Sequence, residues 1–350
     1  MPRAHDDPGL AFPHPAPPAF GVPSEVAPGV LWLRLPLPFA LDHVNVYLIA
    51  DGDGWAVLDC GIGDDACRAV WERVLAAGAG GPLAGARLTR LIVTHYHPDH
   101  VGLAGWMCER FGLDLWMPRA EYLFSLGLQY APGDLGAENY RPFYRRHGLS
   151  ADITEQVLSR GHHYLRITTG VPSVYRRLQA GEVLGAGGRA LDVLTGGGHA
   201  LEQAMLLDRP AGLFFAADQV IARISPNVSV HAMEPEADAL GDYLRSLAAL
   251  RREAAADVLV LPGHGLPFVG LHARIAALVR HHEGRCAVIE TACCAQPRSA
   301  AELVPVVFAR PLDPHQTSFA FGEVLAHVNH MRAEGRLAAE IDADGTVRFR

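Results

Sequence analysis

The sequence predicts an α/β protein built as a four-layer αββα sandwich, two β-sheets face to face with helices on their outer sides. Three observations carry this reading. Short aliphatic or β-branched segments come first and amphipathic helices second, and that order occurs twice along the chain. The short segments are bounded by turn formers such as Asp51-Gly52-Asp53-Gly54, as strands are. Between the two halves, and again after them, lie segments of a different, helical character.

Residues 1–29 are rich in proline and lack the apolar core of a secretory signal, so they read as a loose, extended lead-in. The folded part opens with segments 30–37, 44–50 and 55–59, a β-meander. Cys67, Val70, Trp71, Val74 and Leu75 recur at helical spacing and predict an amphipathic helix over 65–77. A glycine-rich loop then leads to a compact strand, 91–94. Segment 119–180 is a helical insertion with aromatics such as Tyr122, Phe124 and Tyr164 and a cluster of Arg141, Arg145 and Arg146. It is expected either to shape a substrate pocket or only to pack onto the core. Strands follow at 190–194, 204–207 and 213–216, then a helix marked by Leu240, Leu244, Leu247 and Leu250. A strand at 258–261 and a helix through Leu271, Ile275, Leu278 and Val279 complete a domain over 30–283.

From 284 onward two short helices are expected before a longer one over 319–334, which Gly335 stops. Strands 337–341 and 346–349 then flank Asp344-Gly345, a strong hairpin turn. Helices followed by a hairpin is the order of a winged helix, so 284–350 reads as a small winged-helix-like C-terminal domain. Its long helix carries only Arg332, His327 and His330 as basic groups, which makes a poor DNA reader. A packing role or contacts in a homodimer are expected instead.

At 350 residues, 49% apolar and 19% charged, the chain can bury a sizeable core and needs no membrane. Its apolar runs are too short to span a bilayer, so a cytoplasmic protein without a membrane partner is expected. None of the 6 cysteines falls in a CxxC pair, which argues for free buried thiols rather than disulfides or a thiolate zinc knuckle. A net charge of -8 disfavours a nucleic-acid partner, because phosphate-backbone binding wants dense cationic patches.

The chemistry is concentrated in His95-Tyr96-His97-Pro98-Asp99-His100, directly after strand 91–94. Chance placement of this pattern is on the order of a few in a thousand. Imidazole nitrogens and carboxylates are what borderline-soft divalent ions prefer, and a turn leaving a sheet edge can aim these side chains at one point. Further ligands are expected at later strand ends. His199 follows Thr195-Gly196-Gly197-Gly198, Asp218 closes the run 213–217, and His264 lies in Pro262-Gly263-His264-Gly265. No convincing GxSxG nucleophile motif competes with this set.

These residues, together with Leu58-Asp59-Cys60-Gly61, resemble the metallo-β-lactamase superfamily over about 30–283. The resemblance implies that one metal is held by His95, His97 and His199 and a second by Asp99, His100 and His264, with Asp218 bridging. Asp59 would hold a ligand or a water in place, and Asp99 would both ligate and orient the nucleophile. The presence of His97, His199 and Asp218 looks more like the glyoxalase II branch than the classical lactamases, where a cysteine occupies the matching site. One departure is Ala200, where family members usually carry Ser or Thr after the third-motif histidine. The C-terminal segment more loosely resembles the winged-helix tail of a subgroup that includes an RNA-cleaving enzyme.

Two divalent ions would acidify a shared water to a bridging hydroxide at neutral pH. Zinc is the expected metal, with iron or manganese as alternatives. The expected activity is hydrolysis of a thioester, ester, amide or lactone of a small metabolite, the arginine-bearing insertion suiting an anionic one. The alternatives are a phosphodiesterase acting on single-stranded RNA and a non-catalytic, metal-containing ligand sensor. Oxygen-dependent sulfur chemistry at a single iron is disfavoured by intact ligands for both metals.

Overall fold

A computed structural model describes residues 9–350 except 79, 131–136 and 160–162, with the backbone alone at 137–139, 163 and 315. The first eight residues of the proline-rich lead-in therefore lie outside the described residues.

Two large sheets form the centre. The first has seven strands in chain order: Ser24–Ala27, Val30–Pro36, His43–Asp51, Gly54–Leu58, Leu88–Ile92, Leu115–Pro118 and Arg176–Leu178. Its first half is an antiparallel meander, and the later strands run parallel. The second has six, in the order Phe268–Val269, Leu259–Pro262, Leu213–Ala217, Gln203–Asp208, Arg189–Gly196 and Val183–Ala186.

Strand periodicity explains the layering. Along Val30–Pro36, Val30 and Trp32 point into the core shared by both sheets, while Leu31, Leu33 and Leu35 point to the outer helices. Phe215 and Leu206 meet that shared core from the second sheet, whereas Phe214 and Leu207 face the helices behind it. Both faces of each sheet are thus covered, which is why these strands read as continuous apolar runs. Helices Asp65–Leu75 and Ala104–Phe111 cover the first sheet, and Ala239–Glu253 and Leu271–Ala295 the second.

Three expectations need correcting. The lead-in is not loose after residue 9: Ser24–Ala27 pairs with Val30–Pro36, and Ala11 bridges Val269 at the edge of the second sheet, with N···O distances of 3.0 and 2.8 Å. The segment after 284 does not begin with a new short helix. Leu271–Ala295 is one continuous helix whose buried stripe runs Ile275, Leu278, His282, Cys286, Ile289 and Cys293. A histidine and a cysteine in that stripe hide its periodicity from a reading based on aliphatic residues. The third concerns the insertion. It is helical, with Arg119–Tyr130, Ala137–Arg146, Ala151–Leu158 and His163–Arg166, but Arg141 and Arg145 of its arginine cluster are engaged locally. Arg141 pairs with Glu155 at 2.7 Å and Arg145 donates to the Leu149 carbonyl at 3.0 Å.

The C-terminal segment contributes Ala300–Val307, Pro314–Ala333 and a hairpin of Ala339–Ile341 with Val347–Phe349. Helix Pro314–Ala333 starts earlier than the apolar pattern indicates, because Asp313 and Gln316 form a capping box with Pro314 at the first position. Residues 320–329 are all buried. The cysteines are free, and all but Cys294 are buried. Among the described residues no helix is long and apolar enough to cross a membrane.

Candidate metal centre

The site forms at the carboxyl ends of strands from both sheets. Asp59 follows Gly54–Leu58, the His95–His100 motif follows Leu88–Ile92, and His199, Asp218 and His264 follow Arg189–Gly196, Leu213–Ala217 and Leu259–Pro262. Pro98 holds His97 in extended backbone and opens a single helical turn, Pro98–Val101, that carries Asp99 and His100. Asp59 (φ 63) and Ala217 (φ 43), the latter next to Asp218, adopt left-handed backbone. Such conformations cost of order 1–3 kcal/mol and persist where surrounding structure imposes them.

The motif and the three later residues converge in two groups. His95 Nε2 lies 3.0 Å from His97 Nδ1, which lies 3.0 Å from His199 Nε2. In the second group His264 Nε2 is 3.2 Å from Asp99 Oδ2, and His100 Nε2 is 3.7 Å from the same oxygen. Asp218 Oδ2 reaches both groups, at 3.5 Å from His199, 3.4 Å from His100 and 3.2 Å from His264. All the ligand-type residues that the sequence singles out are therefore brought together.

The inward atoms are fixed in place because the outward ones are engaged. His199 Nδ1–H donates to the Asn227 carbonyl at 2.8 Å and His264 Nδ1–H to the His43 carbonyl at 2.7 Å. His100 Nδ1–H donates to Asp59 Oδ2 at 2.8 Å. The Thr94 hydroxyl donates to Asp59 at 2.9 Å and so accepts from His95 Nδ1–H, also at 2.9 Å. Each of these contacts makes Nε2 the atom turned to the cluster, a lone pair whenever the ring is neutral.

Buried His100 Nε2 and Asp218 Oδ1 make no hydrogen bond, which is costly for polar atoms held away from water. Nitrogens sharing one tetrahedral ion at about 2.0–2.1 Å lie roughly 3.3 Å apart, close to the spacing here. The donor chemistry and geometry fit divalent cations.

Electrostatics divide the two groups. Burial, reinforced by neighbouring imidazoles, holds His95 and His97 well below the ordinary histidine value, so both are neutral donors. For His100 and His264, burial is outweighed by carboxylates, Asp218 foremost. His100 is held well above its usual value and His264 is pushed up to about 10. Burial likewise opposes ionisation of Asp218, but His264 and His100 keep its carboxyl well below the usual range.

Several supports carried little signal in the sequence. Asn45, a polar residue in an apolar strand, donates to the Pro262 and Gly265 carbonyls, both at 2.9 Å, and fixes the His264 turn. Buried Glu121 accepts from Tyr96 N at 2.9 Å and Glu202 N at 2.5 Å, clamping the first-motif loop to the His199 loop. Burial pushes its pKa up to about 7 against these donors. Asn227 and His43 act through backbone carbonyls, which residue type does not reveal. Ala200 packs among the apolar residues under the first sheet.

A cavity of about 520 Å³ opens over the cluster. His97, Asp99, His199, Asp218 and His264 form its floor. Its walls include Leu37, Phe39, Leu41, Ile167, Ile221 and Phe319, with Tyr164, Ser225 and Asn227 as polar members. No arginine lines it among the described residues, so the anionic substrate expected from the insertion's arginines loses its support.

Buried histidine and aspartate clusters at one rim of a two-sheet sandwich define a metal-dependent hydrolase. The chain belongs to the metallo-beta-lactamase superfamily, whose family model matches residues 40–264. A second model, the metallo-beta-lactamase-like C-terminal domain, matches residues 286–350. The chain is 25% identical over 338 residues to the probable metallo-hydrolase YqjP of Bacillus subtilis (strain 168), covering 92% of this chain and 97% of that one. Among solved structures it is similar to a beta-lactamase domain protein from Burkholderia ambifaria, at 42% identity and TM-score 0.89, with 98% of each chain covered. It is also similar to the metallo-beta-lactamase family protein TTHA1429 from Thermus thermophilus, at 28% identity and TM-score 0.76, covering 93% of this chain and 99% of that one.

Proposed function

We propose that this hydrolase holds two zinc-type ions and cleaves a thioester, ester, amide or lactone whose acyl part is apolar. The observation that carries the reading is the cavity, with histidines and aspartates on its floor and walls that are mostly aliphatic or aromatic, Tyr164, Ser225 and Asn227 being the polar residues among them. His95, His97 and His199 would hold one ion and Asp99, His100 and His264 the other, with the Asp218 carboxylate between them. Bound, such ions supply a water acidic enough to attack at neutral pH and a positive pole for the acceptor oxygen.

The chain's own groups do the rest. The apolar walls desolvate the acyl chain and place its carbonyl over the floor, burial being worth about 0.8 kcal/mol per CH₂. Asp99 reaches the floor from the cavity side, where it can orient the nucleophile and take up its proton. Asp59 and Thr94 keep His100 and His95 in fixed tautomers while charge shifts. His97, His199 and Asp218 are present with no cysteine ligand among them, which supports a glyoxalase II-like branch.

Cleavage of single-stranded RNA would need a cationic channel over the ions, and the described lining supplies none. Helices followed by a hairpin at 300–349 support a winged-helix-like module. Its central helix is buried along 320–329 and cannot enter a groove, so the module is best read as packing. The test is metal analysis followed by a chromogenic panel of acyl thioesters, esters, lactones, lactams and phosphodiesters. Faster turnover as the acyl chain lengthens from acetyl to hexanoyl is expected. Turnover confined to phosphodiesters, or none with any substrate at full metal load, overturns the reading.

A further inference from the structure

A second cluster of metal-type donors lies outside the cavity, between helices Leu271–Ala295 and Pro314–Ala333. His282, Glu323 and His327 each offer a ligand atom there, and these atoms lie within 4.8 Å of one another. His282 and His327 are fully buried and Glu323 is 8% exposed. Glu323 and His327 stand four residues apart on one helix face and confront His282 on the other helix.

The hydrogen bonding leaves this cluster unresolved. His327 Nδ1–H donates to the Glu323 carbonyl at 2.7 Å, so His327 Nε2 carries a bare lone pair. That lone pair faces His282 Nδ1 at 3.1 Å. If His282 carries its proton on Nδ1, its buried Nε2 is a lone pair with no donor, for that atom has no hydrogen-bond partner. If the proton is on Nε2, two lone pairs confront each other and the buried N–H is unpaired. The first tautomer joins the two rings and leaves one buried acceptor unpaired; the second turns His282 Nδ1 and His327 Nε2 as lone pairs to one point, which a cation can bridge. A doubly protonated ring would be buried beside Arg285, which already pairs with Glu323. Burial, with cationic and imidazole neighbours, pushes His282 down to about 2 and His327 to about 3, so both rings are free of competing protons.

The nitrogen spacing of 3.1 Å nearly matches the 3.0 Å between paired imidazoles of the catalytic cluster. We propose that His282, Glu323 and His327 form a separate structural site for a borderline divalent cation such as zinc, tying the C-terminal segment to the catalytic domain. His282 and His327 are wholly buried, away from the cavity over the catalytic cluster. Its ion would hold the helix that presents Phe319, one turn from Glu323, to the catalytic cavity.

The test uses the full chain loaded with zinc. Anomalous diffraction at the zinc edge should show a peak between His282 and His327 in the unaltered protein. Glu323→Gln and His327→Gln, purified alongside it and checked by circular dichroism, should each contain about one equivalent less zinc by mass spectrometry. Both should keep the ions of the catalytic cluster, read as undiminished anomalous peaks there. This outcome is independent of whether any substrate is cleaved. An empty map between the two helices, or zinc content unchanged in both variants, overturns the proposal and leaves a histidine pair beside an arginine–glutamate pair.

Discussion

Asp59 accepts hydrogen bonds from Thr94 N, the Thr94 hydroxyl and His100 Nδ1, so one carboxylate sets the tautomers of ligands in both groups. Asp59→Asn turns an N–H₂ against one of these donors. Metal affinity should fall by about 10–100-fold, measured by competition with a chromophoric chelator, while the fold persists. Gly263→Ala drives a methyl to 2.2 Å from Asp218 Oδ1 and should displace the carboxylate that touches both groups. Both ions should weaken together, whereas His264→Ala should weaken mainly one and His97→Ala should remove metal and activity without unfolding the sandwich. Metal content by mass spectrometry and thermal melts separate these outcomes. At this scale the sequence was informative where side chains themselves point inward. His95 to His100 announce themselves by spacing, but the carbonyls of Asn227 and His43 act through backbone that any residue could supply.

At the scale of elements, the clamp made by Glu121 joins two loops that come from different sheets. Glu121→Gln leaves one buried N–H facing another, a cost of about 1–3 kcal/mol in urea unfolding. It should also loosen metal binding, since the loops of His95 and His199 lose their common anchor. Phe215, fully buried between the sheets, should cost about 3–5 kcal/mol when cut to alanine. Strands and amphipathic helices of the sandwich were legible because burial on both faces leaves apolar runs and stripes. Ser24–Ala27 was not, for it is short, follows several prolines and gains its order from the neighbouring strand. The full length of helix Leu271–Ala295 was hidden too, because His282 and Cys286 occupy core positions.

For the whole molecule, the charge pattern at the centre sets a pH dependence. The second ion must displace a proton from His264, whose value is raised to about 10 by Asp218 and Asp99 against burial. Fewer protons compete as pH rises, so affinity for that ion should increase from pH 6 towards pH 9, with proton release on binding. Calorimetry in buffers of different ionisation enthalpy measures both; affinity independent of pH would contradict the assignment. The two-sheet plan and the rim position of the site were readable from strand order. The pocket's character was not, because it depends on which faces of the insertion turn inward, and the arginines turn elsewhere.

Phe319 sits in the C-terminal helix yet forms part of the wall above the histidines. The reaction chamber is therefore a composite, its floor inherited from the sandwich and part of its ceiling from the C-terminal segment. Grafting residues 300–350 from a relative onto this chain would leave every ion-holding group of the catalytic cluster untouched while recutting the chamber, so preference among acyl groups can diverge by exchange of the tail alone.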